Sequence, residues 1–202
     1  MTDPTPGIDA RRTALLVMDY QNGIIGRLED AEALLARVAH AIAVVRKHGG
    51  HIGYVRVAFD DADFDAIPPT SQFAALVASS GRAMHADAPA TAVHESVAPE
   101  PGDIMVRKIR VGAFSTTDLA GQLRARQLDT LVLAGISTSG VVLSTVRDAA
   151  DRDYRVFVLT DASADPVPGV HEFLTEKIFP RQAGVIATAE LEQLLTAGSA
   201  RS

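Results

Sequence analysis

The 202-residue sequence contains no cysteine, which excludes disulfides, thiolate metal sites and a cysteine nucleophile. It has no tryptophan, and aromatic residues make up only 5% of it, so composition says little about ligand shape. No apolar run approaches the length that spans a bilayer, and the opening residues hold no hydrophobic segment of signal-peptide type. The expectation is a cytoplasmic protein with no membrane partner. Lys and Arg number 19 against 25 Asp and Glu, for a net charge of -6, and the basic residues are scattered. That balance argues against nucleic acid as a partner. The 6 histidines show no HxH or HExxH spacing, and Asp60, Asp61 and Asp63 have no histidine beside them. No metal and no cofactor is therefore expected. Internal repeats and low-complexity segments are also absent.

Hydrophobic residues are 47% and charged residues 22% of the chain, the balance of a globular protein. Its length suits one α/β domain over residues 1–202, with residues 1–10 and 197–202 as flexible ends. The centre of the pattern is residues 131–161. An apolar run meets Gly135, a polar turn follows, Val142, Thr145, Val146 and Ala149 recur at helical spacing, and a second apolar run begins at Val156. That is a βαβ unit. Parallel sheets of such units bind ligands at the carboxyl ends of their strands, so the turn at residues 136–140 is a candidate site.

The rest of the chain alternates in the same way. Strands are expected at 13–18, 51–59, 103–107, 130–134, 155–160 and 184–187. Helices are expected at 30–48, 73–78, 118–127, 141–150, 170–178 and 188–195, with Thr116 or Thr117 capping the third. The two prolines and four aspartates of residues 60–70 read as irregular, and a long loop to Pro101 follows, of the kind that often carries function. The fold class expected is a doubly wound, six-stranded parallel sheet with helices on both faces.

Several motifs invite a chemistry. Gly135 to Gly140 has phosphate-loop spacing, but Val141 and Val142 stand where lysine and a hydroxyl residue are needed. The order Ser137, Asp161 or Asp165, His171 matches a serine-hydrolase triad, although Ser139 stands where the nucleophile elbow needs its second glycine. Asp19 and Lys108 each end an apolar strand, which places both at the sheet edge that carries the 136–140 turn.

Together, the strand ending in Asp19-Tyr20-Gln21-Asn22, Lys108 with Ala113-Phe114 and Thr117, the turn Gly135-Ile136-Ser137-Thr138, the helix at 142–150 and residues 154–161 carry a resemblance. In order, and over nearly the whole chain, they resemble the isochorismatase-like hydrolases, also called the cysteine hydrolase superfamily. The resemblance implies a homo-oligomer, dimer or tetramer, with active sites at subunit contacts, a small-molecule substrate and a cis peptide at Ile136-Ser137. It also implies a triad of aspartate, lysine and cysteine that hydrolyses amides; here the three positions are Asp19, Lys108 and Val141. Valine cannot attack a carbonyl.

Members without the cysteine resemble isochorismatases proper, which cleave a vinyl ether and need a proton donor rather than a nucleophile. On that reading Asp19 is the general acid and Lys108 orients the substrate carboxylate or water. Gln21, Ser137, Thr138, Ser139 and Val141 then contact substrate. Two alternatives stand beside it: a ligand-binding relative that has lost catalysis, and an amide hydrolase using Ser137 or Ser139 with Asp19 or His171 as base.

Overall fold

In a computed structural model, residues 7–199 are described. Six strands, β1 (Thr13–Met18), β2 (His51–Val57), β3 (Ile104–Lys108), β4 (Thr130–Ile136), β5 (Arg155–Ala164) and β6 (Gly184–Ile186), form one parallel sheet in the order β3-β2-β1-β4-β5-β6. β1 and β4 are buried along their whole length, as continuous apolar runs require of central parallel strands.

Between the strands lie α1 (Asn22–Ile25), α2 (Ala31–Lys47), α3 (Asp61–Asp65), α4 (Gln72–Ser80), α5 (Leu119–Ala125), α6 (Leu143–Ala150), α7 (Val170–Phe173) and α8 (Thr188–Ser199). Side chains alternate across the sheet. Leu15 and Val17 of β1 pack with Val38 of α2 and Leu191 of α8, whereas Leu16 and Met18 pack with Leu119 of α5 and Val146 of α6. Helices therefore cover both faces, and the doubly wound architecture is as expected. The chain runs outward from β1 to β3, then crosses back to β4 on the other side of β1. This leaves a crevice beyond the carboxyl ends of β1 and β4, the place where such sheets bind ligands.

Several expectations need correction. Residues 60–70 are not wholly irregular, because Asp60 and Asp63 form a capping box that starts α3: each carboxylate accepts the other's backbone N–H, at 2.8 and 3.0 Å. Arg107 ties both aspartates to β3. β5 runs four residues past Thr160, since a register shift between Leu133 and Gly135 of β4 lets pairing resume at Ser163 and Ala164. Helix α5 begins at Leu119 with Asp118, not Thr116 or Thr117, at the N-cap position; Thr117 stands one residue before it, its Oγ1 accepting Leu119 N–H at 3.3 Å.

Of the expected flexible ends, residues 1–6 and 200–202 lie outside the described residues. The remainder is fastened: buried Ile8 donates its N–H to Leu194 O at 3.1 Å, and α8 continues through residues 197–199. A Cβ on Gly198 would stand 1.8 Å from Ile8 O, so glycine permits this close approach.

Gly135 does the same for the central crevice. A Cβ there would meet Val142 Cγ2 at 2.9 Å and Met18 Cβ and Val141 Cγ1 at 3.2 Å. Gly135→Ala is expected to destabilise the fold by about 1–3 kcal/mol through overpacking. Urea unfolding should show a lower midpoint with an unchanged slope.

Candidate active site

Three strand ends build the site. Directly after β1 the backbone turns through Asp19 in the left-handed region, with φ of 60°, a conformation that aspartate tolerates better than most residues. Lys108 is the last residue of β3, two strands away, about 10 Å at ordinary strand spacing. Its side chain bridges that interval: Nζ lies 2.9 Å from Asp19 Oδ2 and donates to Arg110 O at 3.2 Å. Both side chains are almost fully buried, 3% exposed for Lys108 and 6% for Asp19. The sequence expectation that they share one edge of the sheet is met, and they touch.

Their electrostatics are opposed. Burial pushes the Asp19 carboxyl above its ordinary value, against the charge and hydrogen bond of Lys108, which pull it down. Burial prevails. Asp19 Oδ1 is the one buried side-chain polar atom without a hydrogen-bond partner among the described residues. Unpartnered buried oxygens are rare, and they concentrate where chemistry is done.

Asp19, Lys108 and Val141 line one cavity of about 290 Å³, at the small end of the range for small-molecule sites. Val141 is buried at the foot of the helix that follows β4, in a π-helical turn spanning Thr138–Val142. The Ile136-Ser137 peptide is cis. Phe73 and Leu76 of α4, with Met84, form the wall that the 60–101 segment contributes. A larger open groove of about 630 Å³ between α3 and α4 includes none of these three residues in its walls.

The structure divides the other expected contacts. Ser137 lines the cavity, and its Oγ accepts Gly140 N–H at 3.1 Å. Thr138 does not line it; its hydroxyl lies behind the turn, 2.8 Å from His171 Nδ1. Ser139 is exposed outside the cavity, its N–H donated to Asp165 at 2.7 Å. In a helical turn successive side chains fan out by about 100°, so three adjacent residues cannot all face one pocket.

Gln21 borders the cavity but is occupied. Its Nε2 donates to Val57 O and Thr91 O, each at 2.9 Å, and its Oε1 accepts Val57 N–H at 2.8 Å. It is a tie between β2 and the covering segment rather than a substrate contact. The serine triad does not assemble either, because His171 meets Thr138 and Asp161 caps α8 through Thr188. Sequence reasoning missed Phe73, Leu76 and Arg27 in the cavity wall. The spacing of Phe73, Leu76 and Ser80 on one helix was the available signal for the first two.

Comparison with known proteins agrees with this fold. The isochorismatase domain family matches residues 13–190. The uncharacterized isochorismatase family protein YwoC of Bacillus subtilis is 38% identical over 191 residues, 94% of this chain and 98% of that protein. Ureidoacrylate amidohydrolase RutB of Methylobacterium radiotolerans is 32% identical over 186 residues, 82% of this chain and 72% of that protein. Among solved structures, a cysteine hydrolase from Pseudomonas syringae superposes with a TM-score of 0.85 at 25% identity, covering 98% of this chain and all of that one.

Gln21→Ala should remove three hydrogen bonds from a buried site, those to Val57 O, Val57 N–H and Thr91 O, of which Thr91 O alone keeps a side-chain donor in Arg56. A loss of roughly 3 kcal/mol is expected, read from chemical denaturation. If Gln21 were instead a substrate contact, the variant would keep wild-type stability and change only KM.

Proposed function

The chain belongs to the isochorismatase family, and we propose that it is a hydrolase working without a covalent intermediate, cleaving a vinyl ether of a small carboxylate by proton transfer from Asp19. The observation that carries this reading is the buried Asp19 carboxyl, biased toward its protonated form and beside Val141 where a thiol would otherwise stand. A carboxyl whose pKa is raised by burial is better matched to general-acid work than an ordinary one.

The steps balance without a nucleophilic side chain. Asp19 gives its proton to the terminal carbon of the enol ether, and the double-bond electrons form the new C–H bond. The oxocarbenium ion that results is attacked by water, which returns a proton to the Asp19 carboxylate. The hemiketal then breaks its C–O bond to the alcohol, which leaves with a proton, and pyruvate is released. Lys108 holds the transient carboxylate by charge at the moment when it would otherwise be buried alone.

The test is pyruvate release from isochorismate, run beside a panel of small amides. Asp19→Asn is expected to lower kcat/KM by about 10²-fold or more. Activity should be highest where Asp19 is protonated and should fall as pH rises through its raised pKa. Lys108→Met removes the cation that favours the charged form, so that fall should move to higher pH. Activity that instead rises with pH, on an amide, would identify Asp19 as a base activating water and would defeat the acid mechanism.

Val141→Cys would be the only thiol in the protein. It is expected to bring ammonia release from nicotinamide, an activity that iodoacetamide abolishes in the variant and that the parent protein lacks.

A further inference from the structure

Three charged side chains line the catalytic cavity: Asp19, Lys108 and Arg27. Lys108 has spent two of its three N–H donors, on Asp19 and on Arg110 O. Arg27, in the segment after α1, is exposed, and its guanidinium makes no hydrogen bond or ion pair among the described residues. Most arginines of this protein are engaged: Arg46, Arg107 and Arg152 in ion pairs, Arg56 and Arg126 on carbonyls. Among the described residues, Arg27 is the uncommitted arginine that lines the cavity, at its border with a neighbouring groove that Asp161 and Asp165 also line. On a chain with a net charge of -6, a free fork of five donors at the mouth of the site is a specific provision.

We propose that Arg27 is the specificity-determining residue, binding the carboxylate of an anionic substrate at the cavity mouth while the reacting bond lies inward against Asp19. This rests on the hydrolase reading above and deepens it by naming the substrate class. A carboxylate meets the guanidinium in two parallel hydrogen bonds, which fix orientation as well as affinity. Between Arg27 and the buried pair the walls are mainly apolar, with Ile24, Val57, Phe73, Leu76, Met84 and Val141. The substrate they fit has a largely apolar stretch between the reacting bond and the carboxylate that Arg27 takes. A second anion placed deep in the cavity would find only the last N–H of Lys108. Lys108 therefore serves Asp19, and the anchoring role expected of it from the sequence passes to Arg27.

The experiment is isothermal titration with benzoate, cinnamate and cyclohexanecarboxylate, each paired with its carboxamide. It uses the wild type, Arg27→Gln, Arg27→Lys and Asp19→Asn, with circular dichroism confirming the fold of each. Wild-type protein is expected to bind at least one carboxylate about tenfold or more tightly than its amide, in line with loss of a charged hydrogen-bonded pair. Arg27→Gln should lose that preference, Arg27→Lys should keep part of it, and Asp19→Asn should keep it whole. A wild type that binds no carboxylate in preference to its amide overturns the proposal. So does a preference that survives in Arg27→Gln, which would return the anion to Lys108. The binding readout is independent of turnover. Carboxylate preference without pyruvate release defeats acid catalysis and leaves the Arg27 site standing, whereas the reverse result defeats the Arg27 site alone.

Discussion

The contact between Lys108 Nζ and Asp19 Oδ2, 2.9 Å long and nearly closed to solvent, is the constraint on which the rest of the site depends. Either charge alone would be costly in this position, because water no longer solvates it. The fold answers by bringing the ends of β1 and β3 together across β2 and by turning the Arg110 carbonyl toward the ammonium. Gln21 then clamps the end of β2 to Thr91, so the segment that roofs the cavity is tied to the strands that floor it. What the sequence presents as a polar residue near Asp19 is a brace for the cavity.

Val141 changes what that pair can do. With a thiol at this position, the carboxylate and ammonium would serve a nucleophile. With a branched alkyl group no nucleophile stands beside the pair, and burial still pushes the carboxyl above its ordinary value. The family relationship alone does not choose between these chemistries, since relatives such as RutB are named as amidohydrolases. On the reading proposed above, the residue at the foot of the helix after β4 is where the difference enters.

The relation between Lys108 and Arg27 follows from donor counting. An ammonium already bonded to a carboxylate and a carbonyl has little left for a ligand, while an exposed guanidinium with no partner among the described residues has its whole fork to offer. On the proposed reading, a carboxyl at the closed end and a cation at the open end would orient a small anion before any bond changes.

The strand positions, the fold class and the shared edge of Asp19 and Lys108 were legible in the residues, because apolar runs of strand length alternating with helical spacing admit few architectures, and a charge at the end of such a run must sit at the sheet edge. The absence of cysteine alone removed the thiol mechanism. Side-chain direction was not legible. Thr138 and Ser139 share a motif with Ser137 but point away from the cavity, since a helical turn spreads neighbours around its axis. Gln21 and Arg27 lie six positions apart, one consumed by backbone partners from β2 and the 60–101 segment, the other left free. Those partners are 36 and 70 residues away along the chain. Which polar groups are spent on the fold and which remain for a ligand was decided only when the strands and the covering segment came together, because hydrogen-bond satisfaction is a property of the packed site and not of any stretch of sequence.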